Sequence, residues 1–123
     1  MIVVVLALAV TPALFFAPAQ AEGDAAPEPE KLVYDRDIKS FLDAACARCH
    51  AGKTRHGGLD MSTPALMLKG GVSGPAYVAG NSKKSLMIEL IEFKEMPPKD
   101  EKPPLTKEEL EKLREWIDAG AAE

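Results

Sequence analysis

The sequence is poor in the residues from which small proteins build either a disulfide framework or a nucleic-acid surface. Two cysteines in 123 residues exclude a scaffold stapled by several bridges. Lys and Arg number 15 against 19 Asp and Glu, a net charge of −4. An acidic chain lacks the clustered cations on which phosphate binding rests, so nucleic acid is excluded as a partner. Aromatic residues make up only 6% of the chain, which limits the core to a thin one. No stretch alternates strongly enough to be a strand and no segment repeats, which leaves an all-α class. Finally, no charged side chain precedes Glu22.

That last absence defines the start of the chain. Residues 1–21 form an apolar run interrupted by Pro12 and Pro18 that ends in Ala19-Gln20-Ala21. A run of this length closing on small residues is the pattern of a secretory signal peptide, with an N-terminal anchor as the alternative. Either reading places the remainder outside the cytoplasm, in the periplasm or its equivalent, with membrane contact only if the segment stays uncleaved. Residues 22–33 are rich in Ala, Pro and Glu and have no apolar period, as a solvated linker does. One domain, expected to be monomeric, then occupies residues 34–123.

Within it the pattern predicts three to four short helices joined by Gly- and Pro-bearing loops. From Asp35, the residues Ile38, Phe41, Leu42 and Ala45 recur at helical spacing and run into Cys46. Thr63-Pro64 offers a cap and first-turn pair for a short helix ending at Gly70,. Ser82 is expected to cap a helix that buries Leu86, Leu90 and Phe93, with Met87 and Ile91 beside them, before Met96-Pro97-Pro98 ends it,. Thr106 and Glu109 form a capping box for a last helix presenting Leu110, Leu113, Trp116 and Ile117,.

The chemistry lies in Cys46-Ala47-Arg48-Cys49-His50, the C-x-x-C-H pattern of c-type haem attachment. Two thiols separated by two residues on a helical turn can add to the two vinyl groups of one porphyrin. The next residue then lies under the iron, so His50 is the expected proximal ligand. With two Cys and two His scattered at random, the arrangement arises on the order of once in a few thousand sequences. A thioredoxin-like pair would need a βαβ setting that is not legible. A zinc site drawn from Cys46, Cys49, His50 and His56 would need adjacent Cys49 and His50 on one tetrahedral ion. A plain Cys46–Cys49 disulfide is the structural alternative.

Beyond this motif, Gly57-Gly58-Leu59-Asp60, Gly70-Gly71-Val72-Ser73-Gly74-Pro75, Gly80-Asn81, Ser85-Leu86, Met96-Pro97-Pro98 and Trp116-Ile117-Asp118-Ala119-Gly120-Ala121 follow in order. Together they resemble the planctomycete-type cytochrome c domain. The resemblance implies a cytochrome c-like fold around one covalently attached haem c, and single-electron transfer to a redox protein rather than enzymatic turnover. It also puts the distal iron ligand at Met96, where two prolines hold the thioether in a stiff loop. His56 is the rival, although a chain leaving one haem face has to round its edge to reach the other. Met67 and Met87 read as core residues, and Met61 resembles an apolar packing position. By the same resemblance, the Pro75 carbonyl accepts a hydrogen bond from His50. Tyr77 and Trp116 need no cofactor to explain them. The alternative functions are a haem enzyme or sensor with an open or exchangeable sixth position, and a structural secreted module.

A core this thin needs help to fold. Haem-free protein is therefore expected to be largely unfolded by circular dichroism; a native helical spectrum with a cooperative melt would overturn this.

Overall fold

The structure, a computed structural model, describes residues 28–101 and 104–123. The expected signal, residues 1–21, and residues 22–27 of the linker lie outside the described residues. Among the described residues no helix is long and apolar enough to cross a membrane.

The first helical run, α1, covers residues 34–50. It is built from π-type turns at Tyr34–Ile38 and Asp43–Ala47, alternating with α-helical turns at Lys39–Leu42 and Arg48–His50. Tyr34, Ile38 and Leu42 fall four apart and are buried, and the same step leads to half-buried Cys46. The stripe thus runs from the core straight to the first cysteine. Phe41 packs against the core but is only half-buried. After His50 the chain reverses through a two-residue strand, β1 (Thr54–Arg55), bridged to Ala51 and His50, and a 3₁₀ turn at His56–Gly58. This strand was not legible in the sequence, because two residues are too few to alternate.

Helix α2 (Pro64–Lys69) starts as expected. The Thr63 hydroxyl accepts from the Leu66 amide at 3.2 Å, proline occupies the first turn and Gly70, at φ +75°, ends it,. Helix α3 (Leu86–Glu92) departs from expectation in two ways. Ser82 is not its cap: the Ser82 amide and hydroxyl donate to the Asp118 carboxylate at 2.7 and 2.8 Å, while Asn81 caps a separate 3₁₀ turn, Ser82–Lys84. The helix also buries Met87 and Ile88 rather than the Leu86, Leu90 and Phe93 stripe; Leu86 and Leu90 are half-buried and Phe93 is 70% exposed. Helix α4 (Lys107–Asp118) has the capping box formed by Thr106 and Glu109 and buries Leu113, Trp116 and Ile117.

These elements meet in one buried cluster. Trp116 lies at its centre, fully buried, with its ring 5.7 Å from Tyr34 and 5.3 Å from Tyr77. Its indole N–H donates to the Ala122 carbonyl at 2.8 Å, and the same carbonyl accepts from the Tyr34 amide at 3.1 Å. The C-terminal turn is thereby closed onto the start of α1. The Tyr34 hydroxyl donates to the Met61 carbonyl at 3.3 Å, and burial pushes this phenol up to about 12. Each fully buried aliphatic side chain in such a cluster contributes about 1.5–3 kcal/mol.

Asp118 joins α4 to the turn ahead of α3, and the hydrogen bonds from Ser82 hold its carboxyl below the usual range. A depressed carboxyl contributes stability that is present above its unfolded value, near 3.8, and is lost as the pH falls through the folded value. Asp118→Asn is therefore expected to lower the melting temperature at pH 7 and to flatten its fall below about pH 4. A parallel shift of the melting curve at all pH values would contradict this.

Candidate functional site

Cys46, Cys49 and His50 sit at the C-terminal end of α1, three and four residues apart and therefore on one face,. That face forms one wall of a cavity of about 610 Å3, within the range of about 300–1,000 Å3 found for small-molecule and cofactor sites. The chain reversal after His50 supplies a second wall through His56, Gly57, Leu59 and Met61. Helix α3 supplies a third through Leu86, Met87, Leu90 and Ile91, and the segment beyond it supplies Met96, Pro97, Pro98 and Leu105. Leu86 and Leu90 thus serve the cavity, which explains why an apolar stripe that reads as core is only half-buried. Met67 is fully buried away from the cavity, and neither Tyr77 nor Trp116 lines it.

The donor atoms are in unusual states. Cys46 and Cys49 are free thiols, so the disulfide alternative is not formed here. Burial, then the neighbouring Cys49 and Asp43, push the Cys46 thiol up to about 11 and keep it protonated at neutral pH. Burial also pushes the His50 imidazole below its ordinary value, opposed by the backbone of His56 and Leu59, so the neutral ring is favoured,. His50 Nδ1 is buried with no hydrogen-bond partner, and a buried polar atom left in this way costs on the order of 1–3 kcal/mol.

The expected bond from His50 to the Pro75 carbonyl is not formed. Pro75 is exposed, and the turn before it closes on itself, with Gly71 and Gly74 exchanging amide-to-carbonyl bonds at 3.1 and 3.0 Å. Gly74, not Pro75, reaches the cavity. The residues proposed for the distal side stand as follows. Met96 lines the cavity and is 39% exposed. His56 lines it too, its ring 6.5 Å from that of His50 and at 81° to it.

Residues 46–100 match the family model described as Planctomycete cytochrome C. This segment is similar to the planctomycete cytochrome c family. The similarity points to a haem-binding protein with covalently bound haem c, and the residues present fit that group. The cytochrome c segment has two free thiols on one helical face, a neutral imidazole with an unpartnered nitrogen, and a cavity of suitable size with mostly apolar walls. The match begins at Cys46, so most of α1 and all of α4 lie outside it. No curated protein and no solved structure matches the chain.

Sequence reasoning missed the contact that closes the cytochrome c cavity at its edge, an ion pair between Arg48 and Glu101. The spacing of 53 residues between these two positions carries no local signal. It also missed how closely the glycine loops interlock. The Val72 amide donates to the Gly57 carbonyl at 2.8 Å, and a Cβ on Gly71 would come within 2.3 Å of that same oxygen and 2.8 Å of the Leu59 nitrogen. Gly71 and Val72 therefore hold the His56–Leu59 wall by backbone contact. Gly71→Ala should lower stability by about 1–3 kcal/mol in denaturant unfolding, while Val72→Ala, at a side chain 86% exposed, should cost almost nothing. Equal effects of the two would show that the loops do not interlock in solution.

Proposed function

We propose that the chain is an extracytoplasmic single-haem electron carrier of cytochrome c-like fold, with Cys46 and Cys49 forming the thioether links and His50 and Met96 the axial ligands. The observation that carries this reading is the convergence of all four side chains on one cavity. Bound haem c supplies a one-electron iron couple, and the protein sets its potential.

The chain's own residues have separable tasks. The two thiols fix position and orientation from a helix anchored in the core, so the site inherits the rigidity of Ile38 and Leu42. Burial keeps the His50 imidazole neutral and therefore able to donate its lone pair. Leu86, Leu90 and Ile91 exclude water from the wall opposite the cysteines' helix, and a low-polarity surround disfavours the more highly charged oxidised state. The Met96 thioether, a soft donor, favours the reduced state further. With both axial positions taken, no place remains for a substrate, and electron exchange proceeds through contact with another protein. The net charge of −4 favours a redox partner that presents a basic surface.

A second reading has an observation of its own. His56 lines the same cavity, its ring 6.5 Å from that of His50 and at 81° to it, which makes it a rival distal ligand. If neither His56 nor Met96 is held firmly, the sixth position is exchangeable and an enzyme or sensor role follows.

Oxidised and reduced absorption spectra, with the alkaline pyridine assay for thioether-linked haem, test the whole reading. A c-type spectrum with the weak sulfur-to-iron charge-transfer band is expected. Met96→Ala should retain haem, lose that band, bind cyanide without a displacement step and lower the potential. An unchanged potential would remove Met96 as ligand and favour His56, and absence of bound haem would remove the carrier reading altogether.

A further inference from the structure

The wall that carries Met96 differs from the others in how it is held. Residues 93–101 form a strap between α3 and α4, with the main cavity on one side. On the other side lies a second hollow, lined by Ile91, Lys94, Pro97, Pro104, Thr106 and Leu110. Undercut on both faces, the strap gains little from burial: Phe93 is 70% exposed and Met96 39%. Its near end is tied by the Glu95 and Met96 amides, which donate to the Leu90 carbonyl at 2.8 and 3.1 Å. At the far end the Glu101 amide donates to Pro98 within the strap itself, at 2.9 Å. Among the described residues, the tie from that end to another wall is the ion pair of Glu101 with Arg48. Arg48 stands between Cys46 and Cys49, in the turn that delivers both thiols.

We propose that Arg48 and Glu101 form a latch that holds the strap, and Met96 with it, against the helical turn that attaches the haem. The inference rests on Met96 being the sixth ligand. The guanidinium is charged at all accessible pH values and its planar fork suits a carboxylate, so the latch persists over the working pH range. Both partners reach solvent, with side chains 68% and 37% exposed, so the latch is weak in stability terms and open to screening by salt. A weak tie matters here because it acts on a segment with few others. Arg48 and Glu101 are positioning residues: they act through Met96 and touch no reacting atom.

Haem-loaded Arg48→Gln, Arg48→Glu, Glu101→Arg and the swapped pair R48E/E101R provide the test. Each single change is expected to weaken the sulfur-to-iron charge-transfer band of the oxidised protein. Each should also raise the cyanide association rate about two- to fivefold, with little change in melting temperature. The swapped pair should return both readouts toward the parent, and added salt should raise the cyanide rate of the parent but not of the single variants. Parent-like rates in the single variants, or a swap no better than either, would overturn the latch. If the parent itself lacks the band, the ligand assignment fails instead. Hydrogen exchange at the amides of residues 95, 96 and 99–101 then decides the latch alone: faster in the single variants and restored in the swap upholds it, unchanged exchange overturns it.

Discussion

The packing of α4 against the start of α1 is the constraint on which the rest of the molecule depends. Leu113, Trp116 and Ile117 are fully buried against a cluster that includes Tyr34, Ile38 and Leu42. Ala122 clasps the two helices through one carbonyl shared by the Trp116 indole and the Tyr34 amide. A helix carrying the cysteines has to be rigid if the atoms at its end are to stay in place, and burial of its upstream stripe supplies that rigidity. The scaffold lies largely outside the segment that matches the family, whereas the residues proposed to hold the haem lie within it. Chemistry and support are thus carried by different parts of a short chain.

Around that scaffold the loops are held by polar ties as well as by the burial of Met61, Ala76 and Tyr77. Asp118 takes the amide and hydroxyl of Ser82, and Asp60 takes those of Ser62 together with the Arg55 guanidinium. Ser85 donates to the Asn81 carbonyl and accepts from the Val78 amide at 2.8 and 2.9 Å. Each satisfies buried or half-buried backbone groups that an irregular segment leaves exposed to loss of water. This is how a domain with 6% aromatic residues supports loops long enough to wall a cavity.

The cavity concentrates features that folding by itself does not favour. Burial works against ionisation of both the Cys46 thiol and the His50 imidazole, and His50 Nδ1 has no partner. Leu86 and Leu90 turn toward the cavity instead of the core. Local costs gathered in one place, while buried side-chain polar atoms elsewhere among the described residues have partners, are what a binding site imposes on its fold.

Much of this was already written in the order of the residues. The helices at α1, α2 and α4 announced themselves through i, i+4 spacing and through caps at Thr63 and Thr106, because those signals are local and a helix is a local structure. The pattern of Cys46, Cys49 and His50 was legible for the same reason: its three residues lie within one turn. Tertiary structure alone decided where the apolar faces point. The stripe of α3 carries no mark that separates a core from a cavity, so Leu86 and Leu90 look like any buried leucines, and Ser82 looks like a cap until Asp118 arrives from 36 residues away. The missing bond between His50 and Pro75 and the pairing of Arg48 with Glu101 belong to the same class. Each depends on the distance between segments remote in the chain, which packing sets and spacing along the sequence does not encode.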